Sequence, residues 1–110
     1  MGQQTLDELC EKIAGCETLA FIDVSTRMVL LKNAASPESQ DFLNAMCREA
    51  SFLLEGGATA MVTTKDRLKL FLRSEIEPTD VLCCICAVDT EIKELIPAAK
   101  DCLSAISTGD

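Results

Sequence analysis

The run Val81-Leu-Cys-Cys-Ile-Cys-Ala-Val88 constrains the fold more than any other stretch of this sequence. Its eight apolar residues suit a strand and fall far short of the roughly 18–20 needed to cross a bilayer as a helix. Side chains alternate across a strand, so a run without a polar position buries both of its faces. A sheet built around it needs cover above and below. In a chain of 110 residues that cover comes from helices carrying one apolar stripe each.

Three segments have such stripes. Residues 5–14 place Leu6, Leu9, Cys10 and Ile13 on one side, with Thr5 as N-cap, Glu8 completing a capping box and Gly15 as the stop. Ser36-Pro37 opens the longest helix, Ser as cap and Pro at the first helical position. Its stripe is Phe42, Leu43, Met46, Cys47, Ala50, Leu53 and Leu54, and Gly56-Gly57 ends it. The last helix covers about 90–106 with Asp89 as N-cap. There Ile92, Leu95, Ile96, Ala99, Cys102, Leu103 and Ile106 face inward and Pro97 outward. Strands are predicted at 18–24 and 27–32, joined at Ser25-Thr26 without the Gly that a primed turn prefers. Further strands are predicted at 58–64 and 67–73. In the latter, Leu68, Leu70 and Leu72 alternate with Arg67, Lys69, Phe71 and Arg73. The order α-β-β-α-β-β-β-α predicts a single α/β (α+β) domain over 1–110, its core at about 5–106. It is a five-stranded, mostly antiparallel sheet with helices on both faces.

Composition removes most chemistry. The chain has no His, Trp or Tyr, so the usual general base, the Ser-His and Cys-His pairs, the commonest metal ligand and most aromatic stacking platforms are missing. A net charge of −8 disfavours phosphate backbones and argues against nucleic acid. The N-terminus has neither the basic start nor the apolar core of a signal peptide, which predicts a cytoplasmic protein without membrane insertion. No catalytic residue, cofactor site or metal site is assigned, and the protein is expected not to be an enzyme.

Three features remain as candidates. The seven Cys include one C-x-x-C, Cys83 and Cys86, with no second copy. On a strand those two thiols face opposite sides, so the cysteines are expected as reduced core residues. Lys65, Arg67, Lys69 and Arg73 concentrate charge on an otherwise acidic chain. They are a possible contact for an acidic partner, or charges that guard a strand edge. Phe52 misses the stripe of its helix, has Ala45 seven residues before it, and is bordered by Arg48, Glu49 and Glu55. Such a strip opposite a buried stripe is either a partner surface or a singly exposed Phe of the kind soluble proteins commonly carry.

The element order resembles that of the roadblock family, dynein light-chain-like and GTPase-partner domains of profilin-like architecture. The resemblance spans about residues 5–106. It rests on the hairpin Leu19-Ala-Phe-Ile-Asp-Val-Ser-Thr-Arg-Met-Val-Leu30, the long helix ending in Gly-Gly, the strand pair 58–64 and 67–73, and 81–88 leading into the last helix. It implies a non-enzymatic homodimer that pairs long helices and third strands. Such a dimer serves as a scaffold for a small Ras-like GTPase or an adaptor-complex protein. Ala58, Ala60 and Val62 on the uncharged third strand, with Ala45, Arg48 and Phe52 on the helix, are the interface residues this reading selects. The alternative is a small-ligand sensor of PAS or GAF type, which would need a pocket with converging polar groups.

Overall fold

The computed structural model describes residues 2–108. The elements are α1 Gly2–Lys12, β1 Cys16–Asp23, β2 Met28–Lys32, α2 Gln40–Leu53, β3 Thr59–Thr63, β4 Arg67–Arg73, β5 Asp80–Ala87 and α3 Ile92–Ser107. The five strands form one sheet in the order β2-β1-β5-β4-β3, and every neighbouring pair is antiparallel. The apolar run thus becomes the central strand, and Val81 through Cys86 are all buried.

The two faces of β5 head two separate cores. Leu82, Cys84 and Cys86 join Leu19, Phe21, Leu68, Leu70 and Leu72 beneath α1 and α3. Val81, Cys83 and Ile85 join Ala20, Ile22 and Phe71 beneath α2, which contributes Leu43, Met46, Cys47, Ala50 and Leu54. Burial pushes the Cys83 and Cys84 thiols well up and that of Cys102 up to about 11, so these sulfurs stay protonated packing groups.

The helix starts differ from the sequence reading. Thr5 lies inside α1, which already begins at Gly2, and Glu8 Oε1 accepts from Gln4 Nε2 (3.1 Å) along the helix. The cap of α2 is Ser39, whose Oγ accepts from Phe42 N–H (3.2 Å). Ser36 is held elsewhere, against Thr18 Oγ1 (2.9 Å), so Ser36-Pro37 leads into the helix without starting it. Asp89 does not cap α3. The chain first makes a turn in which Thr90 N–H and Oγ1 both bond Ala87 O (3.1 and 2.7 Å), and Glu91 takes the cap position.

The β1–β2 turn closes without Gly. Asp23 Oδ1 accepts from Ser25 N–H (2.9 Å), Ser25 Oγ (2.6 Å) and Thr26 N–H (3.3 Å), and Arg27 takes the left-handed backbone at φ 58°. Beyond β2, Asn33 continues the ladder with its side chain. Leu19 N–H donates to Asn33 Oδ1 (2.9 Å), and Asn33 Nδ2 donates to Glu17 O (3.1 Å).

Candidate protein-interaction face

The α2 side of the sheet carries the sequence-selected residues. Phe42, at the flank of the buried stripe, lies 5.7 Å from both the Arg67 guanidinium and the Lys69 ammonium. Arg67 Nη1 pairs with Glu38 (2.9 Å) and Lys69 Nζ with Glu49 (3.2 Å), which binds α2 and its approach to β4. Arg73 holds three backbone carbonyls: Gly57 O from Nε (2.9 Å), Pro78 O from Nη1 (2.6 Å) and Leu54 O from Nη2 (2.7 Å). It satisfies the carbonyl end of α2, where a cation is also favoured by the helix dipole.

These contacts correct the reading of the basic cluster. β4 is an interior strand, so its charges guard no edge. Arg67, Lys69 and Arg73 are engaged within the chain, and only Lys65, in the β3–β4 turn, is fully exposed.

On α2, Ala45, Arg48 and Phe52 lie on the exposed crest. Phe52 is 76% exposed, more than any other large apolar side chain among the described residues. Arg48 falls to the side of a cleft shared with Arg27, Met28 and Val29, whereas Ala45 and Glu49 fall to the side of Lys69. Leu53, expected in the buried stripe, is 36% exposed. Leu54 takes the core position at the helix end, and Leu53 joins Phe52 at the surface.

The β3 strand is the sheet's outer edge next to β4, in register over Thr59–Leu72, Ala60–Phe71, Met61–Leu70, Val62–Lys69 and Thr63–Leu68. Arg73 N–H donates to Ala58 O and Thr64 N–H to Arg67 O, both at 2.8 Å. Hydrogen-bonded positions alternate along an antiparallel pair. Ala60 and Val62 therefore spend their backbone groups on β4, while Thr59, Met61 and Thr63 turn theirs to the open edge. The side chains alternate independently. Ala60 and Val62 are half-buried against the α2 core, and Met61 on the other face is 48% exposed. Ala58 is exposed just before the strand. Met61 is the residue the sequence reading missed, although period two alone separates it from Ala60 and Val62 as the one large apolar side chain of its face.

The buried polar side chains are all used within the chain. Thr18 and Asn33 bond across the fold and Ser74 and Thr90 within their turns, and no buried side-chain nitrogen or oxygen among the described residues lacks a partner. Among the described residues no helix is long and apolar enough to cross a membrane.

No family model and no curated protein matches this sequence. Solved structures do match in fold. A roadblock/LC7 domain from Streptomyces avermitilis superposes with a TM-score of 0.81 at 11% identity, over 97% of this chain and 95% of that one. MglB in a tetrameric arrangement gives 0.79 at 9%, over 97% and 85%. MglC from Myxococcus xanthus gives 0.73 at 10%, over the whole of both chains.

Proposed function

Because this chain has the fold of roadblock/LC7 domains, we propose that it is a non-catalytic homodimeric platform, acting in the cytoplasm on a small Ras-like GTPase or an adaptor-complex protein. The observation that carries the reading is the β3 edge. Thr59, Met61 and Thr63 present unpaired backbone donors and acceptors on a strand without a charged residue, and α2 separately exposes Phe52 and Leu53. Such an edge is a template for another strand. A second copy meets it with the same edge about a two-fold axis, which closes the assembly. Two sheets then run on as one, and two α2 helices lie side by side over the seam. Phe52 anchors that seam or the partner surface just above it.

The described buried polar groups are already satisfied within the chain, which favours the platform over a sensor built around an interior pocket. Light scattering on the purified chain tests the dimer. Affinity capture with lysate loaded with a GTP analogue or with GDP then tests the partner. The expected result is a dimer that retains a GTPase in one nucleotide state. A monomer at all concentrations refutes the platform, and a dimer that retains no GTPase in either state refutes the GTPase assignment alone.

A further inference from the structure

Away from α2 and β3, the end of α1 meets the start of β1. Cys10 Sγ and Cys16 Sγ are 3.3 Å apart there, with Gly15 between them in the turn at φ 90°. Both residues are half-buried, unlike the other five cysteines, which are buried. Both line an open cleft of about 370 Å3 with Asp7, Glu11 and Glu17. Cys86, the ladder partner of Cys16, lies behind it and is fully buried.

We infer that Cys10 and Cys16 form a reversible dithiol–disulfide site that is oxidised by small neutral hydroperoxides. An S–S bond is about 2.05 Å, so side-chain rotation that closes roughly 1.2 Å makes it. The two thiols share a hydrogen bond that either can donate; it lowers the Cys10 thiol, and together with a bond to Cys86 and burial it raises that of Cys16. Burial and Asp7 oppose the lowering at Cys10. Cys10, on the helix side of the cleft, is assigned as the attacking sulfur, and Cys16, on the strand and backed by buried Cys86, as the resolving one. The Cys10 thiol loses its proton and the thiolate attacks one oxygen of the hydroperoxide; the O–O bond breaks, Cys10 becomes a sulfenic acid, and the departing hydroxide or alkoxide takes up the proton that Cys10 released and leaves as water or an alcohol. The Cys16 sulfur then attacks the Cys10 sulfur and expels hydroxide, which takes the Cys16 proton and departs as water. Two thiols are oxidised and one hydroperoxide is reduced. The carboxylates of the cleft select a neutral oxidant over an anionic disulfide such as oxidised glutathione.

Trypsin cuts after Lys12, between the two cysteines, so a peptide map reads the bond directly. The folded, reduced chain is treated with hydrogen peroxide, alkylated and digested without reductant. The expected product joins the peptide ending at Lys12 to the peptide Ile13–Arg27, is reversed by dithiothreitol, and forms with the near-ultraviolet signature of the fold intact. Cys16→Ser should abolish the link and leave a Cys10 sulfenic acid that dimedone captures. Cys10→Ser should abolish both, which keeps the test decisive if either variant folds poorly. A link from Ile13–Arg27 to the peptide carrying Cys86, or linkage only after unfolding, overturns the assignment. So does faster oxidation by glutathione disulfide than by peroxide.

Discussion

The two edges of the sheet are built by opposite means. The β2 edge is closed by irregularity. Its pairing with β1 shifts register between Phe21 and Ile22, which leaves Leu30 as the extra residue, and the strand is fixed at one end by Asp23 and at the other by Asn33. A bulged, twisted edge does not accept a flat partner strand. The β3 edge runs through five pairs with no shift and no charge. Both edges expose apolar side chains, Met28 and Leu30 on one and Met61 on the other. Apolar exposure therefore does not distinguish them. Backbone regularity does, and it is the ground on which the proposed dimer takes β3 as its seam.

The largest effect is expected from breaking that regularity. Met61→Pro removes an outward-facing N–H without touching the ladder to β4 and should convert dimer to folded monomer, as light scattering reads it. Proline at Ala60 or Val62 is a different experiment, since their N–H groups serve β4 and the monomer itself would suffer. Introducing one charge at either edge completes the test. Met61→Lys should weaken the dimer and Leu30→Lys should leave its mass unchanged. Equal behaviour of the two lysine variants would mean that regularity does not select the seam.

Next in size is the fixed end of β2. Asn33→Ala leaves the Leu19 N–H and Glu17 C=O without their side-chain partner, at a cost on the order of 2–3 kcal/mol. Denaturant unfolding should record that loss, while the association constant, measured under native conditions, stays put. A changed association constant would tie the two edges together.

Much of this comparison was legible in the sequence, and the part that was not has a physical reason. The central position of β5, the split of Cys83 from Cys84 and Cys86, and the helices on both faces all follow from alternation and stripes. The helix starts did not, because Thr5, Ser36 and Asp89 all read as good caps on paper, whereas Thr18 holds Ser36 and a turn from Ala87 to Thr90 delays the start of α3 past Asp89. The β4 cations were misjudged for a related reason. Strand order is a long-range property, and nothing local says that β4 is interior. The outward backbone groups of β3 depend on register, which a single strand does not encode.

Phe52 tests the helix half of the seam. Phe52→Asp should weaken self-association or partner binding by more than about 1 kcal/mol, and the fold should survive because the side chain is 76% exposed. The matching change across the sheet, Met28→Asp, should do neither. If both substitutions are silent in mass and in partner affinity, α2 contributes packing and no interface.

The smallest effect expected concerns protons, and it separates the edges by chemistry. The β2 turn depends on a carboxylate. Asp23 accepts the Ser25 hydroxyl and the N–H groups of Ser25 and Thr26, which hold its pKa below the usual carboxylate value. Stability from a lowered pKa is present above the unfolded value, about 3.9, and is lost as pH falls through the folded one. Its ladder neighbour Asp80 behaves in the opposite sense, because burial raises its pKa, against the Ser107 hydroxyl bond that lowers it. Protonating Asp80 favours the fold, so its contribution declines as pH rises from the unfolded value through the raised one. The β3 pairing involves no ionisable group along the strand. On acidification, amide exchange should therefore quicken at Ser25 and Thr26, relative to the intrinsic rate, before it does at Ala60 and Val62. Asp23→Asn should remove the pH dependence at the turn while keeping an acceptor oxygen there. Asp80→Asn should leave that dependence in place. If exchange at the turn follows pH identically in Asp23→Asn and the parent chain, the carboxylate does not hold the β2 edge, and the bulge alone must account for its closure.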